Sequence, residues 1–288
     1  MRTKKATPYL FIIPAVILLL LYKVYPILHT IIGSFFQSGV GGTTQFVAFA
    51  NYKELFHDKV FYLALFNTLI FNLFTNPIQI VLAFVSALVF NRNVKGLRFL
   101  RTAYYIPFCL SLVIATILWS VLLNPSQGLV NSVLTALSLP PQPFLTSKSQ
   151  AMTCIILIAT WKGIAYWMMF FLAGLQSIPD NLYEACSIDG ANYFVTLFKI
   201  TIPLMKSVFS FVIVSDLISN MLLFAPMYVQ TKGGPQMSTT VLMYEAFKSA
   251  YSGLNHGRSY AIVTILLILI IFMVSCVKLV MRDAKESA

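Results

Sequence analysis

Two ionisable residues stand inside otherwise apolar stretches: Lys162, within Trp161-Lys162-Gly163-Ile164-Ala165-Tyr166, and Asp216, within Ser215-Asp216-Leu217-Ile218-Ser219-Asn220. A charged side chain at membrane depth is costly, so such residues usually face a cavity, a partner helix or a transport path. Residues three or four apart share a helix face, which makes Asp216, Ser219 and Asn220 one polar stripe. Trp161, Gly163 and Tyr166 surround Lys162. An aromatic surface beside hydroxyl-bonding groups suits a sugar, and Gly163 lets a ligand come close to the backbone. Two other uses of the charges stay open. Lys162 and Asp216 can form a buried ion pair between helices, or carry protons or sodium in a secondary transporter. Bond-breaking chemistry finds no support: His29, His57 and His256 are scattered, the cysteines have no metal-ligand spacing, and no Gly-x-x-x-x-Gly-Lys-Ser/Thr loop is present. No catalytic or metal-ligating residue is assigned, and the chain is expected not to be an enzyme.

The elements that must position these residues follow from composition. With 288 residues, 58% hydrophobic and 10% charged, and a mean hydropathy of +0.81, the chain cannot cover a soluble surface. Crossing the hydrocarbon takes about 20 apolar residues. Six stretches meet that length, approximately Tyr9 to Ile31, Leu63 to Phe90, Thr102 to Leu123, Met152 to Leu175, Val208 to Val229 and Tyr260 to Val280. Continuous rather than alternating runs exclude a membrane β-barrel. The expectation is an all-α polytopic membrane protein, one domain over 1–288.

The formal net charge of +11 does not signal nucleic acid, because its distribution has a topological meaning. Arg2, Lys4 and Lys5, then Arg92, Lys95, Arg98 and Arg101, then Lys199 and Lys206, and finally Lys278, Arg282 and Lys285 all fall on one side of a six-span chain. The positive-inside rule puts both termini in the cytoplasm. The Arg92 to Arg101 group also suits anionic lipid heads, although topology alone explains it. The first span, with Pro14 and Pro26 and no small-residue cleavage site, is expected to be retained. Cys109, Cys154 and Cys276 lie in spans and Cys186 in a cytoplasmic loop, so none is placed for a disulfide.

Between the fourth and fifth spans lies Asn181-Leu182-Tyr183-Glu184-Ala185-Cys186-Ser187-Ile188-Asp189-Gly190-Ala191, continuing to Ile200-Thr201-Ile202-Pro203. Pro179-Asp180 suits a helix start, Asp complementing the positive end of the dipole. Asp189-Gly190 supplies a turn, since Gly tolerates positive φ. A second helical piece should begin near Ala191. The small Ala185, Gly190 and Ala191 allow close approach by another protein.

The pattern Glu-Ala-x-x-x-Asp-Gly-Ala with a following Ile-x-x-Pro resembles the EAA loop of permeases in bacterial importers of the ATP-binding cassette (ABC) class. Cys186 and Ser207 depart from the usual pattern without removing a charge or turn. The likeness extends along the chain through Asn51-Tyr52, Asn67-Thr68, Arg101 with Pro107, Trp119 with Gly128 and Asn131, Gly174 to Pro179, and Gly233-Gly234-Pro235. These look like landmarks of carbohydrate permeases, in the branch of the larger maltose and the glycerol-3-phosphate permeases. The resemblance implies a type I ABC importer permease fold in the bacterial cytoplasmic membrane. It further implies a second related permease, two ATPase subunits that carry the ATP and Mg, and an external sugar-binding protein. The loop at about 178–206 would be the coupling element, with Glu184, Ala185, Asp189, Gly190, Ala191 and Pro203 as its key residues. By the same resemblance Lys162, Gly163, Tyr166, Asp216, Ser219 and Asn220, with Phe108 and Leu112 in the third span, coincide with sugar-contacting positions.

Overall fold

Where no water is available to backbone amides, a helix is the element that satisfies them within one segment. The computed structural model describes residues 7–38, 44–92 and 94–286, and they are overwhelmingly helical. Arg2, Lys4 and Lys5, used in the topology argument, lie outside them. Helices α1 (Thr7–Leu19) and α2 (Tyr25–Gly33) lead to a short hairpin, β1 (Phe36–Ser38) and β2 (Thr44–Phe46), then α3 (Ala50–Leu55) and α4 (Lys59–Phe90). Next come α5 (Leu97–Cys109), α6 (Leu112–Leu122), α7 (Leu129–Ala136) and α8 (Ala151–Gln176). The loop that follows holds α9 (Asp180–Ile188), α10 (Tyr193–Thr196) and α11 (Ile202–Leu204). The remaining helices are α12 (Lys206–Met221), α13 (Leu242–Tyr251) and α14 (His256–Glu286).

Among the described residues, four helical stretches are long and apolar enough to cross a membrane, and two bent pairs raise the number to six. The expected third span is bent by 98° between α5 and α6, and the helix leading into α12 is bent by 69°. The expected fifth span, Val208 to Val229, is not one helix: α12 stops at Met221 and a π-helical turn follows at Met227–Thr231. Pro226 accounts for the stop, because it has no N–H for the Leu222 carbonyl and its ring crowds that position. Two other π turns, Leu20–Val24 and Leu197–Thr201, sit just before Pro26 and Pro203. A wider turn lets each chain pass its proline without ending the helix.

The chain forms two compact units, Met1–Tyr62 with Glu245–Ile268 and Leu63–Tyr244 with Leu269–Ala288. In the first, buried Asn51 donates from Nδ2 to the carbonyls of Ser34 at 2.8 Å and Phe36 at 3.0 Å, tying α3 to the hairpin. Arg258 pairs with Asp58, with Glu54 at 3.4 Å and with Glu245 at 3.5 Å.

In the second unit α8 is the central helix. Its Met168, Phe171 and Leu172 pack against Ala83, Phe84 and Ala87 of α4 and Val212 of α12. The Phe171 ring meets Phe84 at 5.4 Å and Phe209 at 4.7 Å. Several family landmarks prove to be side chains that close loops. Asn67 donates to the carbonyls of Met237 and Thr240, and Asn131 bridges Pro125 and Gln142. Arg101 donates to the last carbonyl of α4, Phe90, at 2.6 Å. Gly233 has φ +80°, and a Cβ there would lie 2.5 Å from Thr240 Oγ1, so both backbone and space require glycine.

Candidate functional site

The break between α5 and α6 exposes backbone that a continuous helix would hide. Leu110 is extended, and Ser111 restarts the helix by accepting from Ile114 N at 3.3 Å. The last carbonyls of α5 therefore lack helical donors. Lys162 of α8 supplies them: its Nζ donates to Pro107 O at 3.2 Å, Phe108 O at 3.0 Å and Leu110 O. A cation at a helix C-terminus is also favoured by the dipole.

Beside this cap lies a cavity of about 230 Å³, lined by Phe108, Leu112, Lys162, Gly163, Tyr166, Asp216, Ser219 and Asn220, together with Gln79, Ala159, Trp167 and Leu223. One wall is aromatic. Phe108 and Tyr166 are stacked, with ring centroids 4.6 Å apart and planes at 15°, and Tyr166 meets Trp167 edge-on at 4.6 Å. A polar cluster adjoins these rings through Trp167. Asp216 is 1% exposed, and its Oδ1 accepts from Trp167 Nε1 at 2.6 Å and from Asn220 Nδ2 at 3.1 Å. Asn220 Nδ2 also reaches Asn76 Oδ1 at 2.6 Å and Gln79 Oε1 at 3.0 Å. Gln79 Nε2 in turn donates to Ala159 O at 2.7 Å.

Eight of the nine expected pathway residues thus meet at one cavity. Trp161 does not line it; its ring packs edge-on against Trp119 at 5.6 Å. The buried ion pair held open between Lys162 and Asp216 is not formed. Among the described residues every ion pair belongs to Arg258, because the α5 carbonyls hold the Lys162 ammonium elsewhere. Gly163, which lines the cavity, also makes room for a neighbour: a Cβ there would lie 2.3 Å from Gln79 Nε2. Gln79, Trp167 and Asn76 escaped the sequence argument. A signal for two of them existed, since buried Asn72, Asn76 and Gln79 recur at helical spacing along α4.

The second expected site is the loop between α8 and α12. Pro179 stands extended just before α9 without a capping hydrogen bond, Asp180 lies in the first turn, and Gly190 at φ +72° turns the chain. Asn192 then starts α10 by accepting from Val195 N at 2.9 Å. Glu184, Ala185, Asp189, Gly190 and Pro203 are exposed and Ala191 half-buried. The same knob presents large apolar side chains, Ile188 at 86%, Phe194 at 67% and Phe198 at 64% exposure. Inside it, the hydroxyl of buried Thr201 lies 3.3 Å from Tyr183 Oη.

A family model described as "Binding-protein-dependent transport system inner membrane component" matches residues 79–285, spanning both the cavity and the knob. The chain belongs to that family. This transport component is similar to the probable ABC transporter permease YurN of Bacillus subtilis, 33% identical over 270 residues, 92% of each chain. It is also similar to the arabinooligosaccharides transport system permease AraP of the same organism, 32% identical over 278 residues, 95% of this chain and 88% of AraP. Among solved structures, a chain of a bacterial alginate ABC transporter, crystallised with an alginate-bound periplasmic protein, superposes with a TM-score of 0.81 at 23% identity, covering 96% of this chain and 94% of that one. The fold is that of type I ABC importer permeases, and the family's members are multi-pass membrane components of transport systems rather than enzymes.

Proposed function

We propose that this chain is the transmembrane subunit of an ATP-driven importer for a sugar or oligosaccharide delivered by an external solute-binding protein. The observation that carries the proposal is the cavity lined by aromatic rings and an adjoining polar cluster, built on α4, α8 and α12 and the α5–α6 break. Such a site offers ring faces to sugar C–H groups and acceptors to hydroxyls. The naming of AraP for arabino-oligosaccharides supports the carbohydrate assignment. The chain breaks no bond itself and carries no cofactor; ATP and Mg sit on two partner ATPases, and a second related permease completes the pore.

In this proposal residues 1–288 act as one permease domain in the bacterial cytoplasmic membrane, with both termini and the loop at 178–206 cytoplasmic. ATP binding closes the ATPases around the α9–α10 knob. Exposed Glu184 is the anchoring anion, and Ile188, Phe194 and Phe198 supply apolar contact. The motion passes through the bent helices to α12, and the bundle turns from inward-facing to outward-facing to receive sugar.

The test is ATP-dependent uptake by the assembled complex carrying Glu184→Ala or Asp189→Ala, together with co-purification of the ATPase. The expected result is loss of both, with folded permease still in the membrane. Unchanged uptake that collapses with the ion gradient overturns the proposal in favour of a secondary transporter.

A further inference from the structure

We infer that the cavity accepts neutral, hydroxyl-bearing glycosides and disfavours sugars that carry a carboxylate or phosphate. The inference rests on the import function proposed above and names the ligand class of the same site.

It follows from counting donors and acceptors. An ammonium has three protons, and the three carbonyls at the end of α5 and just beyond it, Pro107, Phe108 and Leu110, take those of Lys162. Their dipoles also oppose its charge. Trp167 Nε1 is spent on Asp216. The two hydrogens of Asn220 Nδ2 already face three acceptors. Gln79 Nε2 gives one hydrogen to Ala159 O, and Ser219 Oγ donates to Ser215 O at 2.8 Å. The side-chain donors left for a ligand are the Tyr166 hydroxyl and one Gln79 hydrogen. A carboxylate or phosphate group, which has only acceptor oxygens, finds few free side-chain donors.

The unused capacity lies on the acceptor side. Asp216 lines the cavity and is 1% exposed, and its Oδ2 has no hydrogen-bond partner. A buried carboxyl oxygen left unpaired is costly, so a ligand that pairs it gains affinity. A sugar hydroxyl does so in either protonation state of Asp216, donating to a carboxylate or accepting from a carboxylic acid. A ligand carboxylate or phosphate placed there instead meets like charge whenever Asp216 is ionised. Lys162 is consequently a positioning residue: it holds the α5–α6 break and the Phe108 ring, whose centroid lies 5.5 Å from its Nζ.

The experiment is saccharide binding to the assembled permease–ATPase complex in nanodiscs without the binding protein, which otherwise imposes its own selectivity. The probes are maltotriose and arabinotriose against trigalacturonate and glucose 6-phosphate, read by saturation-transfer NMR, with ATP-dependent uptake measured in parallel. The expected result is signal from a neutral saccharide, none from the acidic ones, and about a tenfold loss of neutral binding in Asp216→Asn, the scale of one hydrogen bond to a charged group. Acidic saccharides binding the parent as well as neutral ones overturns the inference and leaves the import function standing. So does intact uptake with no saccharide bound at this cavity. Failure of both binding and ATP-dependent uptake rejects the import function itself.

Discussion

Asn220 Nδ2 lies 2.6 Å from Asn76 Oδ1, a bond that joins α12 to α4 beside the cavity. In a bilayer the apolar side chains of two helices gain little by touching, since lipid is equally apolar, and a buried polar pair then carries part of the specificity. Asn76→Ala removes this acceptor. The expected cost is about 0.6 to 1.7 kcal/mol, seen as a lower thermal midpoint of the purified protein. An unchanged midpoint would show that the Gln79 acceptor and close packing hold these helices without Asn76.

Gly163→Ala puts a Cβ 2.3 Å from Gln79 Nε2 and 2.6 Å from its Cδ. Gln79 must then leave Ala159 O and Asn220. Overpacking of this kind costs about 1–3 kcal/mol. Uptake should fall in Gly163→Ala and recover in part in the double variant Gly163→Ala with Gln79→Ala, which restores the space. Full uptake in the single variant would remove Gln79 from the working site.

Gly190 has φ +72°, and a Cβ added there would meet nothing within 4 Å, so a side chain at this position costs backbone strain only. That strain is about 1–2 kcal/mol for an L-residue, less for Asn. Co-purification of the ATPase should weaken in the order Gly190, Gly190→Asn, Gly190→Ala, Gly190→Val. Equal binding by all four would show that the turn is not needed for docking.

Burial pushes the Asp58 carboxyl up, but the hydrogen bonds from Arg258 and Val60 N and the charges of Arg258 and Lys248 outweigh it and leave it below the ordinary 3.8. A lowered carboxyl contributes stability that is present above the unfolded value and lost as pH falls through the folded one. Asp58→Asn should therefore be less stable at neutral pH, with the gap to the parent closing below pH 3.8. Glu245 has the opposite sign. Burial raises it above 4.5 despite Lys248 and Arg258, so its ionisation works against the fold as pH rises. Limited proteolysis across pH should find Glu245→Gln better tolerated at neutral pH than Asp58→Asn; the reverse order would refute this assignment.

The polar stripe of Asp216, Ser219 and Asn220 was legible because helical spacing alone puts those residues on one face. The knob was legible for a similar reason: Pro179, Asp180 and Gly190 each state a local backbone preference that α9 and its turn obey. Trp167 was not, since its bond to Asp216 joins positions 49 residues apart. Nor was the packing role of Gly163, which exists only because Gln79 reaches α8 across 80 residues.

Local chemistry therefore determined the apolar segments, the faces that carry polar groups and the places where proline or glycine bends the chain, all properties of neighbouring residues. Tertiary structure alone decided which charges meet. Lys162 and Asp216 are both costly in an apolar span, and sequence allows each to neutralise the other. The 98° break after α5 leaves carbonyls without helical donors beside Lys162, and those carbonyls, rather than Asp216, satisfy its ammonium.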